Sequence, residues 1–154
     1  MELNELLDPE AIVPLLKASS KKQVIQELSE RAADLTGLSQ SHIFDKLLQR
    51  ERLGSTGVGQ GVAIPHGKLP ELERIYGIFA LLDKPVDYDA MDDKPVDIVF
   101  LLLAPEGAGA DHLKALARIA RLLRNEDTLA KLRAATDCDA IRAVLCQLPA
   151  SDAA

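Results

Sequence analysis

The 154-residue chain has no tryptophan, two tyrosines, three phenylalanines and two cysteines. Its core must therefore be aliphatic, and an apolar fraction of 47% is enough to build one. A chain of this size buries roughly two-thirds of its unfolded surface, so neither disulfide nor metal is required for folding. Cys138 and Cys146 stand eight residues apart on one predicted helix. That spacing is a rise of about 12 Å, and a disulfide needs Cα atoms within about 7 Å. With no CxxC spacing, the two read as unpaired packing thiols of a reducing compartment.

Long hydrophobic runs are also missing. The longest, Ile98 to Pro105, falls far short of the ~20 residues that span a bilayer. Met1 to Asp8 carries acids and no apolar core, so no signal peptide is expected. Positive charge is in deficit: 18 basic against 24 acidic residues leave a net charge of −6. Such a body repels phosphate backbones and anionic lipid, which sets aside nucleic acid and membrane insertion. A cytoplasmic protein is expected, with one domain over residues 1–150 and a frayed tail at 151–154.

Periodicity supplies the elements. A strand is expected near Ile12–Leu16. Ser20 opens a helix with Val24, Ile25, Leu28, Ala32 and Leu35 on one face, and Gly37 stops it. Ser39 caps a second helix, with Ile43, Phe44, Leu47 and Leu48 inward, that ends before Gly54. Residues 54–61 read as a glycine loop running into a short strand, Val62-Ala63-Ile64. Ile75–Leu82 reads as a strand, Lys84–Asp93 as a connection, and Val96–Ala104 as a strand buried on both faces. Three helical stretches follow, around Leu113–Leu123, Leu129–Leu132 and Ile141–Leu148. The pattern predicts an α/β fold, a single-domain sandwich with a small, partly parallel sheet flanked by helices on both faces.

Few residues offer chemistry. Of three histidines, His42 lies near a helix start in a surface or capping position. His66 stands where an apolar strand ends at Pro65, a place where open α/β proteins put reacting groups. His112 follows Asp111, a good N-cap, at a helix start that favours a neutral imidazole and welcomes an anion. The glycine loop fits no P-loop: five residues separate Gly61 from Gly67, and Leu69 follows Lys68. Val62 stands where a dinucleotide fingerprint needs its third glycine, and Ser55 lacks a nucleophile elbow. No metal-ligand spacing is present, so neither metal nor cofactor is expected. What remains is a loop with Ser55 and Thr56 hydroxyls, one histidine downstream, and Arg50, Arg52 and Lys68 beside it. A neutral imidazole can take a phosphoryl group covalently, and catalysis is then mostly positioning and positive charge. The plainer reading is a solvated Arg50-Glu51-Arg52 helix end beside a flexible turn.

The run Arg50-Glu51-Arg52-Leu53-Gly54-Ser55-Thr56-Gly57-Val58-Gly59-Gln60-Gly61-Val62-Ala63-Ile64-Pro65-His66-Gly67-Lys68 closely resembles the active-site segment of the fructose/mannitol-type enzyme IIA domains of the bacterial phosphotransferase system, the nitrogen-regulatory subtype most of all. The resemblance implies a sandwich with a mixed sheet and phosphorylation of His66 on Nε2. It also implies an active-site arginine sixteen residues earlier, Arg50, and a second active-site histidine at His112. By the same resemblance the hydroxyls of Ser55 and Thr56 shape the phosphoryl pocket. Gln60 stands where the nitrogen-type pattern has asparagine, a one-methylene change that leaves the glycine turn intact.

The resemblance further implies a donor, a histidine-phosphorylated nitrogen-type phosphocarrier protein. It implies regulated partners of the potassium-transporter or sensor-kinase kind, gripped according to the phosphorylation state of His66. The alternative is a sugar-specific enzyme IIA passing the group to a separate enzyme IIB; a chain ending after one domain favours the regulatory subtype. A metal-dependent hydrolase built on His66 and His112 has no ligand cluster behind it.

Overall fold

In the computed structural model, which describes residues 3–152, local capping decides where the first long helices begin and end. α1 (Leu3–Leu6) and a 3-10 turn (Pro9–Ala11) precede β1 (Ile12–Leu16). In α2 (Lys21–Thr36) the Ser20 hydroxyl accepts from the Gln23 N–H at 3.1 Å. Gly37, at φ +76°, closes its far end by donating to Ala33 O at 2.9 Å. α3 (Gln40–Leu53) begins at Ser39, whose hydroxyl accepts from the His42 N–H. The two helices pack on each other.

A mixed sheet of six strands forms the frame, in the order β1-β5-β6-β3-β2, with β4 also on β6. β5 (Tyr76–Val86) lies parallel to β1 and antiparallel to β6 (Val96–Ala104). β6 takes hydrogen bonds on both edges and is buried along its length except at Asp97. Paired edges and covered faces explain its nearly unbroken apolar sequence. On its other edge run β3 (Val62–Ala63) and β4 (His66–Lys68), both parallel to it. They keep one register, with Ala63 opposite Val99 and His66 opposite Leu102. The ladder is interrupted between them because Pro65 has no N–H and the Ile64 N–H turns to Thr56 O at 3.0 Å.

α4 (Ala110–Leu122), α5 (Glu126–Ala134) and α6 (Cys138–Asp152) complete the chain. Helices flank the sheet on both faces within one domain. Among the described residues no helix is long and apolar enough to cross a membrane. Residues 153–154 of the expected frayed tail lie outside the described residues. Both cysteines are free and half-buried.

Four local expectations change. The glycine loop contains a strand, β2 (Gly57–Gly59), antiparallel to β3. The strand expected to stop at Ile64 resumes at His66. β5 reaches Val86, into the stretch read as a connection. α4 begins at Ala110 with Gly109 as its N-cap, so Asp111 lies inside the first turn and caps nothing.

Candidate active site

His66 sits on β4, where the edge strand resumes after Pro65. Its Nδ1 lies 2.9 Å from Ile64 O, and a carbonyl only accepts, so Nδ1 carries the proton. On the other side the Arg50 Nε–H donates to Nε2 at 3.3 Å. A guanidinium only donates, so Nε2 holds a lone pair. Two independent contacts thus select the same neutral tautomer, with the nucleophilic nitrogen turned to a cation. The His66 pKa is lowered below the ordinary 6.5, first by burial and then by the Arg50 charge, while the Ile64 bond and the Glu51 charge oppose that shift. Burial and the Arg50 charge thus favour the neutral ring.

Arg50 stands in the last turn of α3 and also donates through Nη1 to Gly54 O at 2.9 Å. That second bond holds the guanidinium against the start of the glycine segment. His112, at the third position of α4, presents its ring edge-on to His66, with centroids 5.8 Å apart and planes at 80°. It is buried, and among the described residues neither ring nitrogen has a hydrogen-bond partner. Its pKa is lowered by burial first, then by His66 and Lys68. Desolvation thus disfavours the imidazolium, in the same direction as expected from the helix start.

Arg50, His66, His112 and Lys68 share a cavity of about 400 Å³ with Lys46 and Leu113, and among the described residues no carboxylate lines it. Leu53 and Leu113 form an apolar rim, 85% and 68% exposed. Arg52 is exposed and does not line the cavity. His42 lies apart, its Nε2 3.1 Å from Glu71 Oε2.

The hydroxyls of Ser55 and Thr56 are not among the groups lining the cavity. Ser55 Oγ donates to Tyr88 O at 2.9 Å and accepts from the Gly57 N–H at 3.1 Å. Thr56 Oγ1 donates to Glu51 Oε2, and the Thr56 N–H donates to Glu51 Oε1 at 3.0 Å. Both hydroxyls are engaged in bonds that hold the glycine segment.

Glu51 itself is the residue that sequence reasoning missed. Far from being a solvated helix end, it is 6% exposed and pairs with Lys21 Nζ at 3.0 Å. The buried Tyr88 hydroxyl donates to its Oε2 at 3.3 Å, and the Lys21 ammonium lies 4.8 Å from the Tyr88 ring centre. Burial, and next the Glu51 charge, push the Tyr88 phenol far above its usual range. One signal was available. Ile43, Leu47 and Glu51 recur every four residues and are the buried positions of α3, so Glu51 continues the inward face.

Comparison with known proteins follows the same lines. Residues 5–147 match the family described as phosphoenolpyruvate-dependent sugar phosphotransferase system, EIIA 2. A nitrogen regulatory protein of Bradyrhizobium diazoefficiens is 63% identical over 153 residues, covering 99% of this chain and all of that protein. One from Escherichia coli K12 is 39% identical, covering 88% of this chain and 83% of its own length. Among solved structures, nitrogen regulatory protein IIA-Ntr from Neisseria meningitidis superposes with a TM-score of 0.89 at 36% identity, covering 93% of this chain and 98% of that one.

Proposed function

Given that the chain belongs to the phosphotransferase-system EIIA 2 family, we propose that it carries a phosphoryl group on His66 Nε2 and regulates partner proteins according to whether that group is present. The observation that carries this reading is the tautomer: Nδ1–H is committed to Ile64 O and the Nε2 lone pair faces Arg50. The donor is a small phosphocarrier protein of the nitrogen type, itself phosphorylated on histidine. Its N–P bond breaks as the bond from Nε2 to phosphorus forms, in line, and the donor ring, which carries a proton on its other nitrogen, leaves as neutral imidazole. The Nδ1 proton stays where it is. Arg50 meets the charge spreading over the equatorial oxygens, and Lys46 and Lys68 add positive potential.

The exposed Leu53 and Leu113 at the rim suit a brief contact with such a donor, at the low end of interface areas. The phosphoryl oxygens bring close to two negative charges to the mouth, of which the still-protonated ring offsets one, and the change is enough to admit one partner and repel another. The partners are regulated proteins of the potassium-transporter or sensor-kinase kind, met in the cytoplasm. The nitrogen regulatory relatives favour this reading over a sugar-specific IIA that feeds a separate IIB.

The test is labelling with the phosphorylated carrier. Acid-labile, base-stable label on the wild-type chain and none on His66→Ala is the expected result. Label of normal intensity on His66→Ala overturns the assignment.

A further inference from the structure

Three hydrogen bonds connect the buried Glu51 carboxylate to the His66 ring. The Thr56 N–H donates to Glu51 Oε1 at 3.0 Å, the Ile64 N–H donates to Thr56 O at 3.0 Å, and His66 Nδ1–H donates to Ile64 O at 2.9 Å. Every donor in the series points toward the carboxylate. The Thr56 hydroxyl adds a second bond from the same residue to the other carboxylate oxygen, so Thr56 is gripped at two points. Lys21 from α2 and Tyr88 from the β5–β6 connection complete the set around Glu51. Charge-assisted bonds of this kind are the stronger ones, and a half-satisfied buried carboxylate is strongly unfavourable. The cluster therefore has one low-energy arrangement.

From this geometry we infer that Glu51 is a positioning residue: through Thr56 and Ile64 it holds the carbonyl that fixes the His66 Nδ1–H tautomer and so keeps the lone pair on Nε2. The chemical reason lies in the ring itself. A free neutral imidazole exchanges between its two tautomers, and the form protonated on Nε2 cannot attack phosphorus from that nitrogen. The Ile64 carbonyl removes that form only while it stays in the ring plane. Pro65 cannot help hold it by an N–H of its own, because it has none. The Ile64 N–H bond to Thr56 takes that place, and Thr56 is where Glu51 acts. Glu51 touches no reacting atom and is outside the cavity lining.

The importance of this tautomer rests on His66 being the phosphoryl acceptor, but the tautomer itself is read without any transfer, by ¹⁵N shifts of the imidazole nitrogens. The informative variant is Lys21→Met/Glu51→Leu, which replaces the ion pair by apolar side chains of similar size and leaves no buried charge alone. Its expected result is a folded protein whose His66 loses the Nδ1–H preference. Transfer from the donor at saturation falls about tenfold, as for outer partners that orient a reacting group. Glu51→Gln retains a carbonyl oxygen for the Thr56 N–H, and Tyr88→Phe removes a cluster bond without touching the series; both keep the wild-type tautomer. A wild-type tautomer in the folded double variant overturns the inference, and so does its loss in the Gln or Phe variant. Should the double variant fail to fold, loss of the tautomer in either of those two still overturns the inference. Absence of label on wild-type His66 would sink the phosphoryl reading while leaving the tautomer result standing.

Discussion

Replacing Arg50 with methionine keeps the side-chain stem and removes two bonds, Nε to His66 Nε2 at 3.3 Å and Nη1 to Gly54 O at 2.9 Å. The ground-state loss is modest, because both bonds lie in partly solvated surroundings. The transition state loses more, since the guanidinium there faces a phosphoryl group. A charge-assisted hydrogen bond contributes about 1.5–3 kcal/mol, which at about 1.4 kcal/mol per factor of ten is about 10- to 150-fold in rate. An independent figure comes from Coulomb's law: unit charges about 5 Å apart at an effective dielectric of about 20 attract by about 3 kcal/mol. Solvent screening of the partly exposed Arg50 reduces that to about half. The two figures meet at a loss of about 10- to 100-fold in transfer from the carrier, measured by rapid quench with labelled donor. Arg50→Lys keeps the charge without the fork and falls between the two. The same substitution to methionine raises the His66 pKa, because the Arg50 charge is one of the causes that lower it. Transfer within threefold of wild type, or a His66 titration that moves down, refutes the electrostatic role.

Other outcomes follow from the same contacts. His66 and His112 both have pKa values lowered below 6.5, so the unfolded chain binds protons that the folded one does not; stability is full above about 6.5 and declines as pH falls through the window below it. Urea midpoints across that window show a slope that His66→Gln/His112→Gln flattens, and an unchanged slope contradicts the burial account. Gly61→Ala places a Cβ 2.5 Å from Arg133 Nη2 and 2.8 Å from Asp97 Oδ1, at φ +81°; it lowers stability by about 1–3 kcal/mol in urea titration, and a loss under about 0.5 kcal/mol would mean that the turn is not held as described. Leu53→Ser, at a position 85% exposed, leaves stability within about 0.5 kcal/mol. It slows transfer from the protein donor while phosphorylation by phosphoramidate is unaffected; equal slowing of both would remove Leu53 from the docking rim.

Much of the fold was legible because it rests on short-range signals. Ser20, Gly37 and Ser39 mark helix ends through bonds to residues three or four away, and β6 announces its central place by an apolar run. The short strands were harder. β2 exists only because Gly57 and Gly59 meet Ala63 and Val62 across a turn, and β4 only because Leu102–Ala104 offers an edge. Three residues carry too little pattern to be read without their partners. Asp111 misled for a related reason: a good capping residue was present, yet Gly109 at φ +45° starts the helix earlier.

By itself the amino-acid order determined the helices, the central strand and the segment around His66, since each is written in neighbouring residues and their spacing. Only the folded chain decided which His66 nitrogen holds the proton, that Arg50 reaches the other, and that His112 stands edge-on beside them. It alone turned Glu51 inward to Lys21, Thr56 and Tyr88, partners up to 37 positions away. Hydrogen-bond direction and desolvation depend on distances of a few ångströms between remote segments, and those distances are set by the sheet and the helices packed on it.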